Sequence, residues 1–183
     1  SIDQARDAIF WINPEGGFQY VNDKACRSLG YTRDELMLLR LWDIDPVYPV
    51  EQWNTNWERY QIDRQGGGEQ VETLHRRKDG STFPVEIYSN HLWVGGRELH
   101  VAVARDITER KQAERDLQQR ESYLRAILDN FPFWVWLKDA ESRFLAVNRP
   151  LAYDKGYDHP ELLTGKTDFD ITSVELAEKY QLD

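Results

Sequence analysis

Cysteine is nearly absent from these 183 residues, where Cys26 stands alone. One cysteine closes no internal disulfide, which fits a reducing compartment. Basic charge is also short, with 23 Lys and Arg against 32 Asp and Glu and a net charge of −9. Nucleic-acid binding draws most of its affinity from phosphates neutralised by Lys and Arg. Anionic membranes attract the same kind of surface. An acidic chain without a basic stripe therefore argues against nucleic acid and against membrane contact by these residues. No apolar run approaches the roughly 20 residues of a bilayer-crossing helix, and no signal-peptide pattern opens the chain. A cytoplasmic location is expected, with the parent protein free to carry membrane segments elsewhere. The chemistry-bearing motifs are missing too: no Gly-rich phosphate loop, no HExxH or CxxC metal spacing and no nucleophile motif. An enzyme acting alone is the weakest reading, and no catalytic residue is assigned.

What remains is ample for a core, since 40% of residues are apolar, 13% are aromatic and seven are tryptophan. The chain also repeats itself. FQYVNDKACRSLGY (residues 18–31) and RFLAVNRPLAYDKGY (residues 143–157) share Val21-Asn22 with Val147-Asn148, and Gly30-Tyr31 with Gly156-Tyr157, in one register. Glu35-Leu36 and Glu161-Leu162 extend that register. A Trp-bearing, strand-like run precedes each, at residues 9–13 and 133–138. The expectation is a duplicated domain whose second copy stops early.

Within the first copy, residues 8–13 and 18–21 read as strands around a Pro14-Glu15-Gly16-Gly17 turn. Asn22 or Asp23 caps a short helix that ends at Gly30, and Thr32 with Glu35 forms a capping box. Residues 50–65 read as a helix with Trp53, Trp57 and Tyr60 on one face, closed by Gly66-Gly67-Gly68. Three strands follow, at residues 70–77, 82–93 and 98–105, separated by turn residues. The order is β-β, short helices, β-β-β. That predicts an α+β fold with a five-stranded antiparallel sheet and helices on one face. Asp106 and Glu109 mark a further helix start, and residues 106–130 read as one helix. Its Ala113, Leu117, Leu124 and Ile127 keep heptad spacing, interrupted at Arg120, as a short dimer seam would.

These segments carry a family resemblance. RRKDGSTFPVEI (residues 76–87), a Gly-Gly turn and ARDITERKQAE (residues 104–114) resemble the C-terminal half of a PAS domain, and residues 16–36 resemble its N-terminal half. The resemblance covers residues 5 to about 115 and resumes near Ser122. It implies a PAS domain with its C-terminal PAC part at 1–107, a helical linker at 108–130 and the incomplete N-terminal part of a second PAS domain at 131–183. It also implies a bacterial-type, homodimeric sensory module. Its output would leave through Asp106, Ile107 and Thr108 toward a domain outside this chain. A cyclic-di-GMP synthase or phosphodiesterase is favoured there, because residues 128–148 resemble those proteins, and a histidine kinase comes second.

The resemblance also raises cofactors. Light-sensing flavin relatives use a cysteine in an Asn-Cys-Arg-Phe-Leu-Gln-like motif nearer mid-domain, whereas Cys26 sits in Lys24-Ala25-Cys26-Arg27-Ser28 and reads as a small core residue. Haem relatives ligate iron through a histidine on the long helix, and residues 50–65 hold none. His75, His91 and His100 fall on strands, and a metal would need them to converge; no metal site is assigned. Trp42, Trp53 and Trp57, facing Val71, Thr73, Val85 and Ile87, could line a cavity for a small flat ligand such as flavin. A solid core is the preferred reading of the same residues. A ligand-free PAS that only holds dimers in register is the remaining alternative.

Overall fold

The computed structural model describes residues 2–62 and 68–172. Contacts divide the chain into two compact units, Ser1–Ala113 and Glu114–Asp183.

Unit 1 follows the pattern of its residues. After a 3-10 turn at Ile2–Gln4 come β1 (Ala8–Ile12) and β2 (Phe18–Val21), joined by the Pro-Glu-Gly-Gly turn. Gly16 sits at φ +73°, and a Cβ there would lie 2.4 Å from the Trp42 ring, so both backbone and space require glycine. Helix α1 (Asp23–Leu29) is capped by Asn22 and closed by Gly30 in the left-handed conformation. Helix α2 (Arg33–Met37) carries the expected Thr32–Glu35 capping box. Helices α3 (Leu41–Ile44) and α4 (Val50–Ile62) follow. The expected continuation of α4 to residue 65, most of its glycine stop and the Tyr60 side chain lie outside the described residues.

Strands β3 (Glu69–Arg76), β4 (Thr82–Val94) and β5 (Arg97–Asp106) complete an antiparallel sheet of order β2-β1-β5-β4-β3. The five-stranded α+β prediction is met, with strand ends within a residue or so of those read from the sequence. Alternation sends one side of every strand inward. Phe10 and Ile12, Phe83 and Val85, Ala102 and Ala104 form the core with Phe18, Leu29, Leu36, Ile44, Trp53 and Trp57.

Helix α5 (Thr108–Asn130) is one uninterrupted element of 23 residues with no buried residue. Its start differs from the expected Asp106–Glu109 box. Asp106 still pairs with Val85 across the sheet, so the helix begins two residues later. The Asp106 carboxylate accepts from the Thr108 backbone N–H (2.9 Å) and hydroxyl (2.6 Å).

Unit 2 contains β6 (Trp136–Lys138) and β7 (Phe144–Val147), paired antiparallel, then α6 (Arg149–Asp154), a 3-10 turn at Pro160–Leu163 and α7 (Asp168–Ile171). Its small core is Phe144, Val147, Leu151, Ala152 and Leu163. The last expected stretch, residues 173–183, lies outside the described residues. Among the described residues no helix is long and apolar enough to cross a membrane.

Candidate sensory site

Of the seven residues read as a cavity wall, Trp53, Trp57 and Val85 are buried in one core, and Trp42 and Ile87 pack against it. Trp53 and Trp57 are buried on α4, with ring centroids 5.3 Å apart. Their indole N–H groups donate to the Pro14 carbonyl (2.8 Å) and to Glu98 (3.3 Å). Val85 is buried in the same core, and Ile87 packs at its margin. Trp42 packs on the Gly16 turn. The Thr73 hydroxyl donates to the buried Asp45 carboxylate, 3.0 Å away. Burial pushes the Asp45 carboxyl up, against the bonds from Thr73 and from the Val47 and Tyr48 backbone. Val71 shares the inward face but is 49% exposed, which removes it from an enclosed wall. It sits on β3, the edge strand, where one side lacks a neighbour.

The three strand histidines all point inward, which their parity with Thr73, Ile87 and Ala102 could have revealed. His91 lies directly opposite His100, with ring centroids 6.4 Å apart. Trp57 meets His91 edge-on at 4.6 Å, and Trp53 meets His100 edge-on at 5.3 Å. His75 sits apart from them, edge-on to Phe10 and Phe83 at 5.9 Å each. Burial pushes His75 down to about 4, and burial together with His91 does the same to His100. His75 Nε2 finds no hydrogen-bond partner among the described residues. His75 and His100 are buried rings that their surroundings hold toward the neutral form. Among the described residues no group of three or more His, Cys, Asp or Glu is placed to hold a metal. Cys26 packs at the core margin.

At the root of α5, Arg105 and Arg110 bond carboxylates other than Asp106. Arg105 reaches Asp7 (2.9 Å), and Arg110 reaches Glu72 (2.6 Å) and Glu86 (3.4 Å). Lys111 also bonds Glu72. Two successive cations thus fasten the first turns of α5 to β3 and β4. Farther along, Leu117, Leu124 and Ile127 are 60%, 61% and 56% exposed. Ala113 is exposed as well. Among the described residues the heptad stripe has no apolar cover.

The repeat has a geometric centre that sequence reading treated only as a cap. The Asn22 side chain donates to the Ile2 and Asp7 carbonyls and accepts from the Ile9 and Ala25 N–H groups. The Asn148 side chain donates to the Leu128 and Phe133 carbonyls and accepts from the Val135 and Leu151 N–H groups. Every partner is displaced by the same 126 residues that separate Asn22 from Asn148. The hairpins match likewise: Asn13 accepts from the Gly17 N–H at 2.8 Å, and Asp139 from the Arg143 N–H at 2.8 Å. Ser142, at φ 61°, takes the place of Gly16.

A five-stranded antiparallel sheet with helices over one face and a helix leaving its last strand defines a class of domain, and comparison with known proteins agrees with it. The PAS domain family model matches residues 6–109. The chain belongs to the PAS domain family, the sensory domains of signalling proteins. The PAS domain of an HTR-like protein from Haloarcula marismortui is 27% identical with a TM-score of 0.51, covering 58% of this chain and 85% of that one. A methyl sulfide methyltransferase-associated sensor of Methanosarcina acetivorans is 28% identical over 69% of this chain. A nitrogen fixation regulatory protein of Klebsiella oxytoca is 27% identical over 83% of it. The chain spans 12% and 30% of the length of those two relatives.

Proposed function

We propose that this chain is a relay and dimerisation segment of a signalling protein. A change in packing within the first PAS domain would pass through Asp106, Ile107 and Thr108 into α5, and on to a second, partial PAS copy built around Asn148. The observation that carries this reading is the root of α5. One residue, Asp106, is both the last paired residue of β5 and the anchor of the helix. The identical Asn22 and Asn148 networks support the second copy. The proposed division is 1–107, 108–130 and 131–183, and the end of β5 at Asp106 supports its first boundary. A homodimer would cover Ala113, Leu117, Leu124 and Ile127 by packing two α5 helices together. The burial of Trp53 and Trp57 favours a first domain that works through its packing over one that holds flavin.

The output is proposed to lie outside this chain, as a cyclic-di-GMP synthase or phosphodiesterase by the resemblance of residues 128–148, with a histidine kinase second. Sedimentation equilibrium tests the dimer. Leu117→Asp and Leu124→Asp should each weaken it at least about tenfold, because each buries a charge in an apolar seam. An unchanged equilibrium in both variants refutes the seam.

A further inference from the structure

The outer side of the unit 1 sheet carries an arrangement that is unfavourable by itself. Glu72 on β3 lies directly opposite Glu86 on β4. Like charges in that relation destabilise strand pairing. Glu86 is 7% exposed, so little water screens it. β3 is the edge strand and pairs with β4, so the repulsion falls where the sheet has least support.

The counter-charge comes from α5. Arg110 reaches one oxygen of Glu72 at 2.6 Å and one of Glu86 at 3.4 Å. Lys111 takes the other oxygen of Glu72 at 2.6 Å. Two cations meet two carboxylates, and both oxygens of Glu72 are engaged. The Gln70 side chain (3.1 Å) and the Tyr88 hydroxyl (2.9 Å) also donate to Glu86, without bringing charge. Withdrawing α5 removes both of its cations from the acidic pair. β3 is also tied to the helix layer. The Thr73 hydroxyl donates to Asp45 (3.0 Å) and Arg76 to the Asp43 carbonyl (2.9 Å), at the end of α3. The edge strand is therefore held by α3 through one set of side chains and by α5 through another.

We propose that Glu72 and Glu86 form an electrostatic latch with Arg110 and Lys111, in which the pairing of β3 with β4 and the docking of α5 hold or fail together. Docked, α5 neutralises the acidic pair. Released, it leaves a repulsion that loosens β3. Coupling of this kind is reciprocal, so a shift of α3 that draws on β3 weakens the hold on α5 by a route that does not pass through Asp106. The latch goes beyond the relay proposed above, because it concerns unit 1 alone and stands whatever α5 leads to.

Hydrogen exchange of the Val71 and Thr73 amides, the neighbours of Glu72 on β3, tests it in the whole 183-residue chain. Removing both cations, Arg110→Ala with Lys111→Ala, should speed these amides about threefold, although both substitutions lie on the helix. Glu72→Gln should speed them in the parent, where it takes away the partner of two cations. In the double-alanine background the same change should slow them about threefold, because there it removes only repulsion. Salt gives a second test of sign. Raising NaCl from about 0.05 M to about 0.5 M shortens the screening length to about 4 Å. Exchange should become faster in the parent, whose attraction is screened, and slower in the double-alanine variant, whose repulsion is screened. Double-alanine rates equal to the parent's, a Glu72→Gln effect of one sign in both backgrounds, or a salt effect of one sign in both overturns the latch.

Discussion

Acid should loosen unit 1 by an amount to which His75 makes a separable contribution. The ring is buried edge-on between Phe10 and Phe83, and its protonation is pushed from 6.5 down to about 4. In the unfolded chain it regains the ordinary value, so the unfolded state takes up the proton first. The stabilisation is whole above 6.5, is lost as the pH falls from 6.5 toward 4, and loses no more below that. The complete shift corresponds to about 3 kcal/mol, and at a pH of about 5 the loss is about 2 kcal/mol. His75→Leu keeps a comparable apolar volume and removes the proton site. Urea unfolding of both proteins at pH values of about 7 and about 5, followed through β4 and β5 amide signals, gives four free energies. The variant should lose about 2 kcal/mol less than the parent between the two pH values. Any effect of leucine on packing is present at both pH values and cancels. Equal losses would refute the argument. His100 adds an acid-labile share of the same sign, but it titrates beside His91, and the two must be read as a pair.

Four further outcomes follow from the geometry. Asn22→Ala leaves two carbonyls and two N–H groups without their partner and should cost unit 1 about 3 kcal/mol in urea unfolding; Asn148→Ala should do the same to unit 2 without touching unit 1. Gly16→Ala meets both a φ of +73° and the Trp42 ring and should lower the unfolding free energy of unit 1 by about 3 kcal/mol, read by urea unfolding. Ser142→Gly, at the matching place in unit 2, relieves a φ of 61° and should raise stability by about 0.5 kcal/mol, read as Tm. Asp106→Ala removes the bonds to Thr108 and should cost about 1 kcal/mol, seen as faster hydrogen exchange in the first turn of α5.

The fold of unit 1 was legible because its signals are local. Alternation marks the strands, Gly and Pro mark the turns, and the Thr32–Glu35 pair marks a helix start within a few residues. The inner face was legible too, since parity alone places Val85 and Ile87 on it. Other features depend on distances the sequence does not carry. Whether Val71 is enclosed depends on its lying on an edge strand. Whether Trp42 faces the sheet or the Gly16 turn depends on how α3 folds back. The histidines were readable as strand residues, but their meeting with Trp53 and Trp57 required the α4 packing angle. Asn22 was visible as a cap and a repeated residue. Its role as a hub was hidden, because three of its four partners lie upstream in segments with no pattern pointing to it.

That hub bears on how unit 1 opens. Backbone groups from the initial 3-10 turn, the approach to β1, β1 itself and α1 converge on a single side chain. None of these segments can let go of Asn22 without leaving a buried polar group of the asparagine unpaired, so fraying one at a time is penalised at each step. The region from Ile2 to Ala25 should therefore exchange its hub-bonded amides, Ile9 and Ala25, at one common rate, as one cooperative unit with a single opening free energy.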